Sequence, residues 1–166
     1  MNSAEPDVFK RLLAALSAAG VSVAHSHHEP VYTSAQAAAV RGTTLHSGAK
    51  ALVVKAGDDF VMAVMPADFS LDGTALRKYL GCKRLRFATN EEVLSLTGLA
   101  PGSIPPFGSL FGLPTICDER LADNQQINFN AGSHSDSIQM DYAAYASFES
   151  PRIARIAKPA EAQPEA

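Results

Sequence analysis

The sequence predicts an α+β fold in which short helices surround a mixed, barrel-like β-sheet. Helical and strand patterns alternate along the chain without a regular strand–helix–strand rhythm, which favours a mixed sheet. Two apolar runs, 49–56 and 60–67, flank a turn at Gly57 and are apolar on both faces, as is typical of strands covered on both sides. With 46% hydrophobic residues, the 166-residue chain can bury one sizeable core. We therefore predict one domain, residues 1–157.

The first elements are a helix, a strand and a second helix. Apolar residues recur at helical spacing between Pro6 and Gly20, which predicts a helix of about three to four turns. Residues 21–28 have the pattern of a strand. Ser34 is the predicted N-cap of a short Ala-rich helix that ends at Gly42.

The remaining elements follow the 49–67 hairpin. Thr89, with Glu92 three residues later, fits a capping box that opens a helix. The other predicted elements, in chain order, are a helix at 74–81, strands at 84–88, 114–118, 126–131 and 137–141, a helix at 141–148 and a strand at 152–157. Residues 158–166 are rich in Pro, Ala and Glu with little to bury, and we predict a disordered tail.

Charge and cysteine content restrict the function classes. A formal net charge of −3 argues against extensive electrostatic wrapping of nucleic acid, so we expect no DNA partner, although a local contact with RNA is compatible with it. No signal-peptide pattern or bilayer-length apolar run is present, so we expect no membrane association and a cytoplasmic location. Cys82 and Cys117 are far apart in sequence, which is typical of buried reduced cysteines.

Lys50 is the first candidate functional residue. Strand alternation places its side chain on the face shared by Leu52 and Val54, where an unpaired ammonium is costly to bury. Either an anionic group meets Lys50, or the side chain lies at the start of the strand and extends to water.

The second candidate is the loop Gly102-Ser103-Ile104-Pro105-Pro106-Phe107-Gly108. Prolines fix φ and cannot donate, and glycines allow close backbone approach, so the loop is stiff and leaves main-chain N–H groups free for a ligand. It can serve as an oxyanion hole or simply as a surface turn that reverses the chain.

Two histidine-containing segments complete the candidates. Ser133, His134 and Asp136 crowd into one turn, where a Ser–His–Asp relay cannot easily align, so we reject a triad. His25 and His27 share a strand face, but no further ligand set with a recognisable spacing follows, and we predict no metal site.

These features occur together in an order that resembles the YbaK family of aminoacyl-tRNA editing domains, which includes domains associated with prolyl-tRNA synthetase. The similarity extends from about residue 28 to residue 156. It rests on the strand lysine Lys50, the run from Glu91 through the 102–108 loop, and the Ala-Gly-Ser turn at 131–133. Family members hydrolyse the ester between a mischarged amino acid and the terminal adenosine of a tRNA, either in trans or as a domain within prolyl-tRNA synthetase.

The resemblance implies a set of site residues and no cofactor. Lys50 and Gly102 are the expected catalytic residues. The expected substrate-binding residues are Ala51, Ser103, Ile104, Pro105, Pro106, Phe107, Gly108, Asn130, Gly132, Ser133 and His134. Many relatives have Lys-Thr where this chain has Lys50-Ala51, and often Ser-Pro where it has Pro105-Pro106, so the removed amino acid is left open among alanine, cysteine, serine, threonine and other small residues.

The resulting hypothesis is a trans-acting deacylase that removes a small amino acid from the acceptor end of a tRNA, with tRNA for proline expected and prolyl-tRNA synthetase a candidate partner. An ester needs positioning, oxyanion stabilisation and a water rather than a protein nucleophile. The alternative is a non-catalytic module that holds an aminoacyl group, an amino acid or a nucleotide in the same pocket.

Overall fold

A computed structural model describes residues 7–160 and has the predicted α+β class. The helices are α1 (Val8–Ala18), α2 (Ser34–Arg41), α3 (Gly73–Leu80), α4 (Asn90–Thr97) and α5 (Tyr142–Glu149). The strands are β1 (Ala24–His27), β2 (Ala49–Ala56), β3 (Asp59–Pro66), β4 (Phe69–Leu71), β5 (Leu85–Phe87), β6 (Thr115–Asp118), β7 (Gln126–Asn130), β8 (Asp136–Asp141), β9 (Arg152–Ala154) and β10 (Ala157–Pro159). Pro6, the expected start of the first helix, lies outside the described residues.

The strands form three sheets. The largest has the order β5-β2-β3-β6-β9, with β3, β6 and β9 parallel to one another and the β2–β3 and β2–β5 pairs antiparallel. The second has the antiparallel order β1-β8-β7, and the third pairs β10 with β4. A mixed sheet is therefore confirmed, and within residues 7–160 the strands are divided among sheets rather than joined in one closed barrel.

The hairpin β2–β3 has apolar residues on both faces because a cluster packs on each. On one face Val53 and Met62 join the main core with residues of α1, β7, β8 and α5. On the other face Val54 and Met65 pack with Leu76 of α3 and with the C-terminal segment. This double coverage explains the continuous apolar pattern, since the middle of both strands is buried on both faces.

Helix starts follow local capping chemistry. The capping box of α4 is confirmed, because Thr89 Oγ1 accepts from Glu92 N at 3.1 Å and Glu92 Oε1 accepts from Thr89 N at 2.8 Å. The predicted N-cap of α2 was one residue late. Thr33, in extended conformation, accepts from Gln36 N at 3.1 Å, and Ser34 is the first helical residue.

The C-terminal segment corrects two predictions. The strand predicted at 152–157 is two short strands, β9 and β10, because Asp118 Oδ2 accepts from the N–H groups of Ile156 and Ala157 and interrupts the pairing. Residues 158–160, predicted to be disordered, are ordered: Lys158 and Pro159 lie in β10, and Ala160 N donates to Asp68 O at 3.0 Å. Main-chain pairing holds this segment, which side-chain composition does not reveal. Residues 161–166 lie outside the described part.

Two further findings concern the cysteines and the helices. Both cysteines are free thiols; Cys117 is buried, whereas Cys82 is only partly buried. Burial raises the pKa of the Cys117 thiol to about 12, so it is an inert core residue.

In the described part of the chain, no helix has the length and apolar character needed to cross a membrane.

Candidate functional site

A cavity of about 160 Å³ lies where α2, the start of β2 and the end of β7 meet. The turn before β2 is held against β7, because Gly48 forms an isolated parallel bridge with Asn128, and Asn128 N donates to Ser47 O at 2.9 Å. The cavity is smaller than a typical drug-sized pocket of about 300–1,000 Å³, which suits a small chemical group. Its walls include Tyr32, Arg41, Lys50, Ala51, Gly102, Ile104, Asn128, Asn130 and His134.

Lys50 is half-buried. It is the second residue of β2 and pairs with Met65 of β3. Its ammonium donates to the carbonyl of Phe69. Among residues 7–160, no carboxylate oxygen lies within 4.0 Å of it. Burial lowers the pKa of Lys50, and the charge of Asp68 opposes that shift without cancelling it. The cavity is therefore lined by a lysine whose charge is incompletely compensated.

The loop that contains Gly102 is fastened at its carbonyl groups. Gly102 has φ +88°, and its carbonyl accepts from Asn130 Nδ2 at 2.7 Å. The carbonyl of Ser103 accepts from Gly132 N at 2.8 Å. Within the described chain, the N–H groups of Gly102 and Ile104 have no hydrogen-bond acceptor. Both residues line the cavity, so two main-chain donors remain free beside it.

The turn after β7 brings His134 to the cavity. Ser133 Oγ donates to Asp136 Oδ2 at 2.8 Å and accepts from the N–H groups of Ser135 and Asp136, so its hydroxyl stabilises the turn. The His134 ring lies 4.8 Å from the Tyr32 ring, and its Nδ1 is buried without a partner among residues 7–160. Ser133 and His134 do not contact each other through hydrogen bonds in this part of the chain, in agreement with the rejected triad.

Two histidines of β1, His25 and His27, contact the same turn through Asp136. His25 Nε2 and His27 Nδ1 each lie 3.0 Å from Asp136 Oδ1. Although burial opposes it, hydrogen bonds from these histidines and from Ser133 lower the pKa of Asp136 to about 2. In the region that the structure describes, no three His, Cys, Asp or Glu residues are grouped so as to hold a metal ion.

The predicted site residues separate into two groups. Six line the cavity, namely Lys50, Ala51, Gly102, Ile104, Asn130 and His134. The others lie outside its wall: Ser103, Pro105, Pro106, Phe107, Gly108, Gly132 and Ser133.

The second half of the loop lies in the core because its groups are used there. The fully buried ring of Phe107 packs edge-on against Phe129 and Tyr145, with centroids 5.5 and 5.1 Å away. Tyr145 donates its hydroxyl proton to Pro106 O at 2.7 Å. A Cβ on Gly108 would lie 2.5 Å from Thr115 Oγ1. These residues anchor the loop, and the part that faces the cavity is limited to Gly102 and Ile104.

The polar cavity residues that sequence analysis missed include Tyr32, Arg41 and Asn128. Arg41 stands in the last turn of an Ala-rich helix, where a cation is ordinary. Tyr32 follows Val31 in a loop, and Asn128 lies between Ile127 and Phe129 in an alternation that is ordinary for a strand. Only the packing of α2 against β7 brings the three together, so no local pattern could have identified them.

Comparison with known proteins places the chain among editing domains. A model of the aminoacyl-tRNA editing domain matches residues 28–148. The multifunctional Ser/Thr-tRNA deacylase ProXp-y of Escherichia coli K12 is 33% identical over 156 residues, covering 91% of this chain and 93% of that protein. The proline–tRNA ligase of Trichlorobacter lovleyi is 35% identical over 95 residues, covering 55% of this chain but 16% of the ligase.

A solved structure shows the same fold. The crystal structure of a candidate trans-editing enzyme for prolyl tRNA synthetase superposes with a TM-score of 0.81 at 23% identity, covering 93% of this chain and 99% of that one.

Proposed function

Because this chain belongs to the aminoacyl-tRNA editing domain family, we propose that it is a deacylase that hydrolyses the ester of a mischarged tRNA carrying a small amino acid. The observation that supports the proposal is the cavity itself, which is lined by the half-buried Lys50 and by Gly102 and Ile104, whose main-chain N–H groups have no acceptor in the described chain. An acyl-adenosine end presents the matching groups, since it has phosphate and sugar oxygens beside a carbonyl that gains negative charge during hydrolysis.

The reaction needs no protein nucleophile. The oxygen of a water forms a bond to the ester carbonyl carbon, and the carbonyl oxygen becomes an oxyanion. When this intermediate collapses, the bond to the ribose oxygen breaks, and that oxygen takes up the proton that the attacking water releases. The free N–H groups of Gly102 and Ile104 are donors for the oxyanion, and removing one such donor typically costs about 10²–10³-fold in rate.

Lys50 is assigned to the nucleic-acid side of the ester. Its ammonium already has one neutral acceptor, the carbonyl of Phe69, and has no carboxylate within 4.0 Å in the described chain. A phosphate or sugar oxygen of the terminal nucleotide would complete its coordination. Binding of this end would hold the ester against the Gly102 loop, so that positioning supplies part of the rate acceleration.

The proposed amino acids are small and include those with a hydroxyl group. The cavity volume of about 160 Å³ excludes bulky side chains, and Ala51 leaves space at its wall. His134 also lines the cavity, where its ring can contact the side chain of the amino acid. The E. coli relative is named for seryl and threonyl tRNA, and we propose seryl and threonyl esters as the first substrates to test. The tRNA for proline and prolyl-tRNA synthetase are the proposed carrier and partner.

The test is deacylation of a panel of tRNAs charged with alanine, serine, threonine or cysteine, using the parent and Lys50→Ala. The parent is expected to release the amino acid. Removing Lys50 is expected to lower kcat/KM about 30-fold or more, because a charge-assisted contact of about 2 kcal/mol or more is lost. Lys55→Ala is the matched control, since Lys55 lies on the same strand but stacks over Phe60 instead of facing the cavity.

Three outcomes would contradict parts of the proposal. Equal rates for the parent and Lys50→Ala would remove Lys50 from the site. Tight binding of a charged tRNA without release of any amino acid of the panel would identify a binding module. Equal losses in Lys50→Ala and Lys55→Ala would indicate a general effect of positive charge.

A further inference from the structure

We propose that Arg41 is a positioning residue that keeps Asn130 oriented toward Gly102 and thereby holds the catalytic loop at the cavity. The inference rests on the proposed deacylase function and extends it to a residue that contributes no atom to the reaction.

Arg41 of α2 bonds to β7 and β8, and β7 bonds to the loop at Gly102. From the last turn of α2, its Nη2 donates to Asn130 Oδ1 at 2.8 Å, and Asn130 Nδ2 donates to Gly102 O at 2.7 Å. Its Nε donates to the buried Ser137 Oγ at 2.8 Å. The three segments are distant in sequence, and this chain of hydrogen bonds joins α2 to the loop.

The guanidinium is held by neutral groups alone. In the described part of the chain, no carboxylate oxygen lies within 4.0 Å of Arg41. Burial lowers its pKa to about 10. A charge that is buried without a counterion is costly to the fold, which argues that its hydrogen bonds serve the site.

The amide of Asn130 needs a fixed orientation. Its oxygen and its NH₂ group have nearly the same shape, and only hydrogen-bond partners distinguish the two orientations. Arg41 can only donate, so it selects the orientation with Oδ1 toward α2 and Nδ2 toward Gly102. In the reversed orientation two oxygens, Oδ1 and Gly102 O, would face each other and repel.

Ser137 orients Arg41, and His28 in turn orients the hydroxyl of Ser137. His28 Nδ1 lies 2.8 Å from Glu29 O and must donate to this carbonyl. In the neutral ring Nε2 is then an acceptor, so the Ser137 hydroxyl, 2.7 Å away, donates to it and leaves its lone pairs to accept from Arg41 Nε. Each donor in this chain of hydrogen bonds, from Ser137 through Arg41 to Asn130, therefore points toward a single acceptor.

The experiment is a double-mutant cycle on the steady-state kinetics of seryl-tRNA deacylation with Arg41→Ala, Asn130→Ala and the double variant. Each single change is expected to lower kcat about 10- to 100-fold with little change in KM, because the loop donors move away from the carbonyl. The double variant is expected to be no slower than the slower single variant, because both changes break the same connection. Losses that multiply, or a loss confined to KM, would overturn the proposal.

Arg41→Lys separates positioning from charge. Lysine retains the cation but not the forked donors that reach Ser137 and Asn130 together. We expect Arg41→Lys to be nearly as slow as Arg41→Ala, and a rate equal to that of the parent would show that charge alone suffices and would overturn the inference.

Amide hydrogen exchange provides a readout that does not depend on activity. Gly132 N donates to Ser103 O, so its exchange reports whether the loop stays docked. We expect faster exchange at Gly132 in Arg41→Ala but not in Arg11→Ala, a control in which an arginine that bridges α1 to Leu110 O is removed. Unchanged exchange in Arg41→Ala would overturn the inference even if the parent shows no deacylase activity, whereas faster exchange without parental activity would contradict the proposed function alone.

Discussion

Two buried charged sites of this molecule are organised in opposite ways. Asp118 is completely buried, and its two carboxylate oxygens accept from five donors, three of them on Arg120 and the others the N–H groups of Ile156 and Ala157. At the cavity, Lys50 and Arg41 are half-buried, and their partners are neutral carbonyl, amide and hydroxyl oxygens.

The difference separates residues that stabilise the fold from residues that we propose serve the site. A fully satisfied buried carboxylate stabilises one arrangement of the chain, since each lost donor would leave a group unpaired. Cations without counterions cost stability, which argues that Lys50 and Arg41 serve the site, Lys50 by binding a ligand and Arg41 by orienting Asn130. Stability should therefore respond to changes at Asp118, and activity to changes at the cavity.

The largest expected effect is on stability, in Asp118→Asn. Asparagine keeps one acceptor oxygen and places an NH₂ group among donors, so we expect a loss of about 3–5 kcal/mol in the free energy of unfolding, measured in urea. Glu119→Gln is the control, because the neighbouring Glu119 pairs with Arg155 at the exposed surface and should matter little. Similar losses in both variants would erase the contrast between the two buried sites.

Gly102→Ala is expected to act mainly on activity. A side chain at φ +88° is strained, and a Cβ would approach His134 Cε1 to 3.4 Å, so the loop donors should shift and the rate of the chemical step fall about 10²-fold or more. The strain should also cost about 1–3 kcal/mol of stability.

Gly98→Ala separates strain from chemistry. Gly98 has φ +73° at the end of α4, and a Cβ there would meet no atom within 4 Å. The same type of strain should leave the rate per folded molecule unchanged. If both variants lose activity to the same extent, Gly102 has no special role in the reaction.

Ala51→Leu tests the size of the cavity. Ala51 is 8% exposed, packs in the main core and lines the cavity, so a larger side chain should reduce the space for the acyl group. We expect the ratio of threonyl to alanyl ester hydrolysis to fall about tenfold, within the range for one or two methyl groups. Overpacking should also cost about 1–3 kcal/mol. An unchanged ratio would exclude Ala51 from selection of the amino acid.

The smallest expected effect is a pH dependence at His46. Burial opposes its protonation, but hydrogen bonds to Asp68 and Asp123, at 2.8 and 3.2 Å, raise its pKa above the usual value. The stabilisation is therefore complete below the unfolded pKa of about 6.5 and is lost as pH rises through the higher folded pKa. We expect the parent to exceed His46→Gln in unfolding free energy more at about pH 5.5 than at about pH 9. A difference independent of pH would contradict this account.

Much of the fold could be predicted because its signals are local. The two-faced apolar pattern of 49–56 requires coverage on both sides, and the Thr89–Glu92 capping box satisfies donors within four residues. The predictions failed where contacts between residues distant in sequence determine the structure. Asp118 divides the last strand by accepting from Ile156 and Ala157, which lie 38 and 39 residues away.

The sequence by itself determined the α+β class and the approximate positions of most helices and strands, because period and caps are properties of neighbouring residues. The six candidate residues that line the cavity were indicated by the family resemblance. Only the tertiary structure decided that Phe107 packs in the core while Gly102 faces the cavity, and that Arg41 reaches Asn130 across 89 residues. The physical reason is that burial and hydrogen bonding depend on which segments meet in space. The role of a loop or a cation therefore depends on the neighbours that packing brings to it.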